Sequence, residues 1–173
     1  LIIDSYDSHL VVQCLTLGID RMKGDIAQIV SDFTHARSVY ERSDYPGRKM
    51  EGLPAFQGQL CGTTPDEIIV HEHGVRYPVD VKEGQKTGFF IDQRENRALI
   101  RDCAAGKKVL NVFSYTGGFT FAAIKGGAAS AVSVDISRGA LEQAGKIYEC
   151  NGFTTKSELI EADAFEYLRN EPV

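Results

Sequence analysis

"KKVLNVFSYTGGFTF", residues 107–121, joins three kinds of residue in the order that an α/β fold uses. The apolar run 109–113 reads as a buried strand, and residues 114–118 form a small-residue turn. The apolar segment after the turn opens a helix. In open α/β sheets the ligand crevice lies outside the carboxyl ends of the strands, so this turn is the first place to look for a site.

Working outward, the chain from about residue 92 alternates helix and strand. Helices are expected over 92–104, 119–125, 137–151 and 164–169, with strands over 109–113, 131–135 and 157–161. That order predicts a parallel, doubly wound sheet with right-handed crossovers. Ser137 is placed to cap its helix, and Asp163 with Glu166 three residues on makes an acidic capping pair. Ala140, Leu141, Ala144, Ile147 and Tyr148 give the longest of these helices its sheet-facing stripe.

The first half has a different grammar. "LIID", "HLVVQCL" and "SVYER" read as short strands around one helix near 20–33, whose Met22, Ile26, Ile29, Val30 and Phe33 form a stripe at helical period, expected to be core. "DYPGRKMEGLPAFQGQLCGTTPD" reads as a loop excursion or an edge hairpin. "EIIVHEHGVRYPVDV" reads as two strands turning at His73 and Gly74. Together these predict a small α+β domain with a mostly antiparallel sheet, residues 1–85, ahead of the α/β part, residues 86–173.

Length and composition set outer limits. The 173 residues, 43% hydrophobic, suit one large or two small soluble domains. A net charge of −5 argues against a generally basic nucleic-acid coating, although a local patch can still attract phosphate. Cys14, Cys61, Cys103 and Cys150 are widely spaced, with no CxxC pair and no secretory leader, so reduced thiols, each buried or half-buried, in a cytoplasmic protein are expected. No apolar run reaches the roughly 18 to 20 residues of a membrane span. The sequence starts in a strand and stops where another would begin, which reads as a piece of a longer protein.

The chemistry of the turn follows from what it contains. A dinucleotide site needs GxGxxG, because a diphosphate must approach the backbone and rest on a helix N-terminus. Here Gly117 and Gly118 are adjacent, so a diphosphate cradle is poorly supported and a nicotinamide-dependent oxidoreductase is disfavoured. The two glycines permit positive φ and close approach of a compact zwitterionic group. Asp135 ends the next strand 18 residues after Gly117, near the spacing at which a carboxylate accepts from ribose hydroxyls. Asp163 repeats the geometry one strand on, where it could meet an adenine amino group or act only as an N-cap. Ribose without diphosphate points to S-adenosylmethionine (SAM).

"GQKTGFFIDQRENR", "VLNVFSYTGGFTFAAIKGGA" and "VSVDIS" together resemble a bacterial family, the class I SAM-dependent methyltransferases of 23S ribosomal RNA, in particular the cytosine-C5 type. The similarity extends over nearly the whole chain. It implies a small central domain followed by the first half of a Rossmann-like methyltransferase domain, with the family's N-terminal RNA-binding domain absent. By that resemblance Phe113, Ser114, Tyr115, Thr116, Gly117 and Gly118 would hold the methionine end of the cofactor. Asp135 would take the ribose hydroxyls, Ile136 and Ser137 would border the adenosine, and Asp163 with Ala164 would hold the adenine edge. Lys86, Thr87, Gly88, Phe89, Asp92, Gln93 and Arg94 would close over the methionine carboxylate and ammonium, Arg94 as a guanidinium fork.

Arg94, Arg97 and Arg101 recur at i, i+3 and i+7, the pattern of an exposed helix stripe. Residues 86–108 carry six basic against three acidic side chains, a local +3 that could steer an RNA backbone. C5 methylation requires a thiolate that attacks C6 of the pyrimidine, and none of the four cysteines matches the family's position for it, so no catalytic residue is assigned. "HEHG" puts two histidines on one strand face without further ligands, so a structural role is expected rather than a metal. Ribosomal RNA is the expected partner, with no membrane. The alternatives are guanine-N7 transfer, which the cofactor motifs do not distinguish from C5 transfer, and a non-catalytic RNA-binding or homodimerising module.

Overall fold

The computed structural model describes residues 1–170. The chain divides into two compact units, Leu1–Val70 with Val79–Phe90, and His71–Pro78 with the segment from Ile91 onward. The boundary expected after residue 85 falls within the 79–90 stretch of the first unit.

In the first unit, β1 (Ile2–Tyr6), β2 (His9–Gln13), β3 (Ser38–Ser43) and β4 (Phe56–Gly62) lie side by side in that order. The outer pairs are antiparallel and β2–β3 is parallel, which gives the mostly antiparallel sheet expected. A parallel pair needs a crossover, and α1 (Leu17–Arg21) and α2 (Lys23–Thr34) supply it. The Gly/Pro-rich span becomes a 3-10 turn, Pro46–Glu51, followed by β4 as an edge strand. Leu10, Val12, Cys14, Ala27 and Val39 form the core.

The apolar stripe expected to face that core does so only in part. The helix breaks at Met22 into α1 and α2, and α2 buries Ala27 and Ser31 instead. Val30 is packed against the core, but Met22, Ile29 and Phe33 are exposed. Small side chains at i and i+4 let the helix lie close to the sheet, and that close approach outweighs the larger side chains one step around the helix.

Charged groups are buried beneath the 3-10 turn. Arg48 Nη2 meets Asp20 Oδ1 at 2.8 Å, its Nε donates to Pro54 O at 2.9 Å, and its Nη1 donates to the Cys14 carbonyl. Lys23 Nζ lies 3.1 Å from an oxygen of the fully buried Glu41. Burial pushes the Asp20 carboxyl up, but the bonds from Arg48 and Lys23 outweigh it and hold the group below the ordinary aspartate value of 3.8. A depressed folded value means the contribution is present above 3.8 and lost as pH falls through the folded value. Urea unfolding of the first unit should therefore show a falling midpoint below pH 3.8, with a shallower fall in Asp20→Asn. An equally steep acid limb in the variant would remove Asp20 from the account.

In the second unit, β7 (Lys108–Val112), β8 (Ser130–Asp135) and β9 (Lys156–Glu161) form a parallel sheet in sequential order. Lys108 pairs with Ser130 and Val112 with Val134, while Ser130 pairs with Lys156 and Asp135 with Glu161, so the three carboxyl ends finish level. α3 (Arg94–Cys103) precedes β7, α4 (Gly118–Lys125) and α5 (Arg138–Cys150) make the crossovers, and α6 (Ala164–Asn170) follows β9. This is the α/β series expected, each helix and strand within about two residues of its predicted ends. Ala104, Ala123 and Ala128 pack against Val109 of β7, and Ala140, Leu141, Ala144 and Ile147 are the buried face of α5.

Strands β5 (Ile68–Glu72) and β6 (Val75–Val79) form the expected hairpin, with His73 and Gly74 at φ 48° and 77°, the left-handed pair that tight hairpins favour. Residues 71–78 of it join the second unit through Asn151, whose side chain bonds Arg76 N and O at 2.8 and 2.7 Å, and through Gln143 Nε2 to Pro78 O at 2.6 Å. No helix among the described residues is long and apolar enough to cross a membrane.

Candidate functional site

The carboxyl ends of β7, β8 and β9 are tied to one another beyond the last strand residue. Ser114 N–H donates to Val134 O at 3.1 Å, and Ala162 N–H to Asp135 O at 3.1 Å. The Asp135 carboxylate receives two backbone donors, Tyr115 N–H at 2.7 Å on Oδ2 and Ser137 N–H at 2.9 Å on Oδ1. Phe113 and Phe165, from the turns after β7 and β9, meet edge to face with ring centres 5.6 Å apart. The turn, Asp135 and Asp163 therefore belong to one surface, as the sequence predicts.

The turn takes its shape from three left-handed residues, Phe113 (φ 55°), Tyr115 (φ 50°) and Gly117 (φ 77°). Only Gly117 uses the freedom ascribed to the glycine pair; a Cβ there would also come within 2.8 Å of the Phe121 ring. Gly118 simply opens α4. The remaining left-handed positions carry aromatic side chains, which glycine-based reasoning does not anticipate. Ser114 is buried, and its hydroxyl has no hydrogen-bond partner among the described residues. Thr116 is buried, Tyr115 half-buried, and Ile136 stands exposed beside Asp135.

Ser137 and Asp163 both act as caps, with Glu166 taking part through its backbone N–H. Ser137 Oγ accepts from Ala140 N–H at 3.3 Å. Asp163 Oδ1 accepts from Phe165 and Glu166 N–H at 2.9 and 3.0 Å, while Oδ2 takes no hydrogen bond among the described residues. Asp163 is thus an exposed N-cap, and the next residue, Ala164, is buried.

The other motif is distributed differently. Asp92 and Gln93 bond to each other at 3.1 Å and Gln93 accepts from Asn96 at 2.9 Å, at the head of α3, where Arg94 is exposed. Lys86, Thr87, Gly88 and Phe89 belong to the first unit. There Thr87 Oγ1 is bonded to Asp4 at 2.5 Å and Tyr6 OH at 2.8 Å, and Lys86 lies 4.2 Å over the Phe90 ring.

Two expectations are corrected. Arg97 is not part of an exposed stripe: it is buried and makes a bidentate pair with Glu72, Nε to Oε1 at 2.6 Å and Nη2 to Oε2 at 2.7 Å. Arg101 lies against Asp102 at 2.7 Å, so two of the six basic side chains counted toward an RNA patch are already matched. Cys103 is exposed, whereas Cys14 is buried, and Cys61 and Cys150 are half-buried. In "HEHG" the informative residue is the glutamate, since Glu72 points inward to Arg97 while both histidines are exposed. Among the described residues no cluster of three His, Cys, Asp or Glu could hold a metal.

Sequence reasoning also missed a buried polar strap behind the turn. Asn111 Nδ2 donates to Thr120 Oγ1 at 3.0 Å, and Thr120 Oγ1 meets Ser133 Oγ at 2.6 Å, linking β7, α4 and β8. One polar residue inside each of three apolar runs was the available signal.

A level row of parallel strand ends, a turn without a diphosphate cradle, and carboxylates at or just past the ends of the second and third strands define a Rossmann-like domain of methyltransferase type. Residues 55–165 match the family of S-adenosylmethionine-dependent methyltransferases, and the chain belongs to that family. It is 43% identical over 171 residues to ribosomal RNA large subunit methyltransferase I of Aeromonas salmonicida (strain A449), covering 98% of this chain and 43% of that protein. The Serratia proteamaculans (strain 568) protein of the same name is 39% identical over 169 residues, covering 96% and 43%. The chain thus spans less than half the length of these curated relatives. Among solved structures it is similar to a protein from Streptococcus mutans described as a SAM-dependent methyltransferase, with TM-score 0.82, 27% identity, and 96% of this chain and 43% of that chain covered. A methyltransferase structure complexed with SAH has TM-score 0.81 at 27% identity and the same coverage.

Proposed function

We propose that the carboxyl ends of β7, β8 and β9 hold SAM for methyl transfer to large-subunit ribosomal RNA, with cytosine C5 as the target atom. The observation that carries this is the Asp135 carboxylate, bonded at 2.7 Å to the turn after β7 while ending β8. Each carboxylate oxygen accepts one backbone donor and has a second acceptor site for a ribose hydroxyl. Ser114 supplies the test of fit: a buried hydroxyl without a partner is costly unless a ligand's polar group meets it, and the zwitterionic end of SAM offers both donors and acceptors.

In this reading Phe113, Ser114, Tyr115, Thr116, Gly117 and Gly118 surround the methionine end, Ile136 and Ser137 border the adenosine, and Asp163 Oδ2 with Ala164 receives the adenine edge. Arg94 is a candidate for the ligand carboxylate. SAM supplies an electrophilic methyl group; these residues orient it and exclude phosphate-bearing ligands. The ribosomal RNA assignment is carried over from the relatives of that name. C5 transfer requires a thiolate, and Cys14 is the wrong kind of cysteine for it, since burial, then the Glu41 carboxylate, push its thiol up to about 11.

Calorimetric titration of the intact protein should show SAM binding and no NADH binding. Tritium from labelled SAM should then enter large-subunit ribosomal RNA, and mapping the labelled nucleotide separates C5 of cytosine from N7 of guanine. Binding of NADH in preference to SAM would end the proposal. RNA binding that ignores SAM, with no label transferred, would leave the RNA-binding module in its place.

A further inference from the structure

We propose that Asp135 is a positioning residue for the turn after β7, fixing that turn in its ligand-ready shape before any cofactor arrives. The inference rests on the SAM reading of this surface and adds to it a second task for the same carboxylate.

Phe113 and Tyr115 are left-handed although both carry a Cβ, a conformation that side chains disfavour and that persists only where surrounding bonds impose it. The flanks of the turn are held by backbone: Ser114 N–H reaches Val134 O at 3.1 Å, and Gly117 N–H reaches Ser114 O at 2.9 Å. Between them the Tyr115 N–H is directed at Asp135 Oδ2, 2.7 Å away. Asp135 is itself fixed, because its Oδ1 accepts from Ser137 N–H at 2.9 Å, two residues along its own chain. One side chain therefore links the turn after β7 to the turn after β8, and its charge strengthens both bonds.

Backbone N–H groups in left-handed turns gather anions, which is how such loops bind phosphate. Here the chain supplies the anion, so a ligand's phosphate would meet a carboxylate already in place. That explains why a loop at this position in an α/β sheet suits a sulfonium ligand, and it makes Asp135 a specificity-determining group as well as a ribose ligand.

Amide hydrogen exchange on the ligand-free intact protein tests the clamp directly. In Asp135→Ala the Tyr115 amide should exchange about 10-fold faster, while the strand amides of residues 109–112 keep their protection. Asp135→Asn, whose amide oxygen can serve only one of the two donors, should give a smaller change and provides the comparison should the alanine variant fail to fold. Calorimetry with SAH and with its 2′,3′-dideoxy analogue separates the two tasks. A residue that only binds ribose hydroxyls has nothing to offer the dideoxy analogue, whereas a clamp does, so Asp135→Ala should bind the analogue about 10-fold more weakly than the native protein. Equal binding of the analogue by both proteins, or an unchanged Tyr115 exchange rate, would overturn the inference. If the native protein binds neither ligand, the SAM reading fails, and the exchange measurement alone decides the clamp.

Discussion

Replacing Arg97 by alanine is expected to destabilise the second unit by about 3–5 kcal/mol, because it leaves a buried carboxylate without its partner. Arg97 is 2% exposed and Glu72 is 8% exposed, and the pair is joined by two parallel bonds of 2.6 and 2.7 Å. Neither charge can recover its water without opening the packing between α3 and the hairpin. The double variant Glu72→Leu/Arg97→Met, which removes both charges and keeps apolar volume, should recover most of the loss. Arg97→Lys should fall between, since one ammonium cannot serve both oxygens in that geometry. Thermal and urea unfolding of the three variants decide the matter. A double variant no more stable than Arg97→Ala would show that the stability comes from side-chain packing and not from the pair.

The same pair bears on the candidate site. Burial first, then the Glu72 carboxylate, push the Tyr77 phenol well above its usual range, so it remains a hydrogen-bond donor throughout the physiological window. Its hydroxyl reaches Gly118 O at 3.4 Å, at the first residue of α4, which follows the turn. Residues 71–78 thus brace the helix that carries the turn, and a loss at Arg97 should also weaken ligand binding there.

What the sequence revealed and what it hid divide along a physical line. Features set by local pattern were legible. The strands of the parallel sheet alternate with helices at short intervals, Ser137 and Asp163 stand where caps must stand, and His73–Gly74 is a turn on chemistry alone. Features set by tertiary partners were not. Arg97 sits in a stripe indistinguishable from a solvated one, and its partner lies 25 residues earlier between two histidines that suggest a metal. The α2 stripe failed because a break at Met22 and the small size of Ala27 and Ser31 decide which face meets the sheet, and hydrophobicity does not register either. Phe113 reads as the end of a strand from its side chain, yet its φ of 55° makes it part of the turn. For the candidate site, the residue types were visible, whereas the bond from Tyr115 to Asp135 that joins two of them depends on backbone angles that no side-chain pattern reports.

Gly126→Ala is expected to cost about 3 kcal/mol, although nothing in its own backbone requires glycine. Gly126 caps α4 at φ −80°, a value any residue adopts. What it lacks is room: a methyl group there would be driven into the carbonyl of Arg101, near the end of α3, and a backbone carbonyl cannot turn aside as a flexible side chain would. The two helices can approach this closely only because that Cβ is absent. Gly127→Ala meets a different obstacle. Its nearest neighbour is Ala105 Cα at 3.8 Å, but its φ is +86°, so it should lose about 1 kcal/mol to backbone strain alone. Gly145, inside α5, has neither constraint, with Leu159 Cδ1 at an ordinary 3.9 Å, so Gly145→Ala should gain about 0.5–1 kcal/mol from helix propensity. Scanning calorimetry should therefore rank the three as strongly destabilised, mildly destabilised and stabilised. A Gly126→Ala protein that melts with the native one would mean that α3 and α4 can separate without cost.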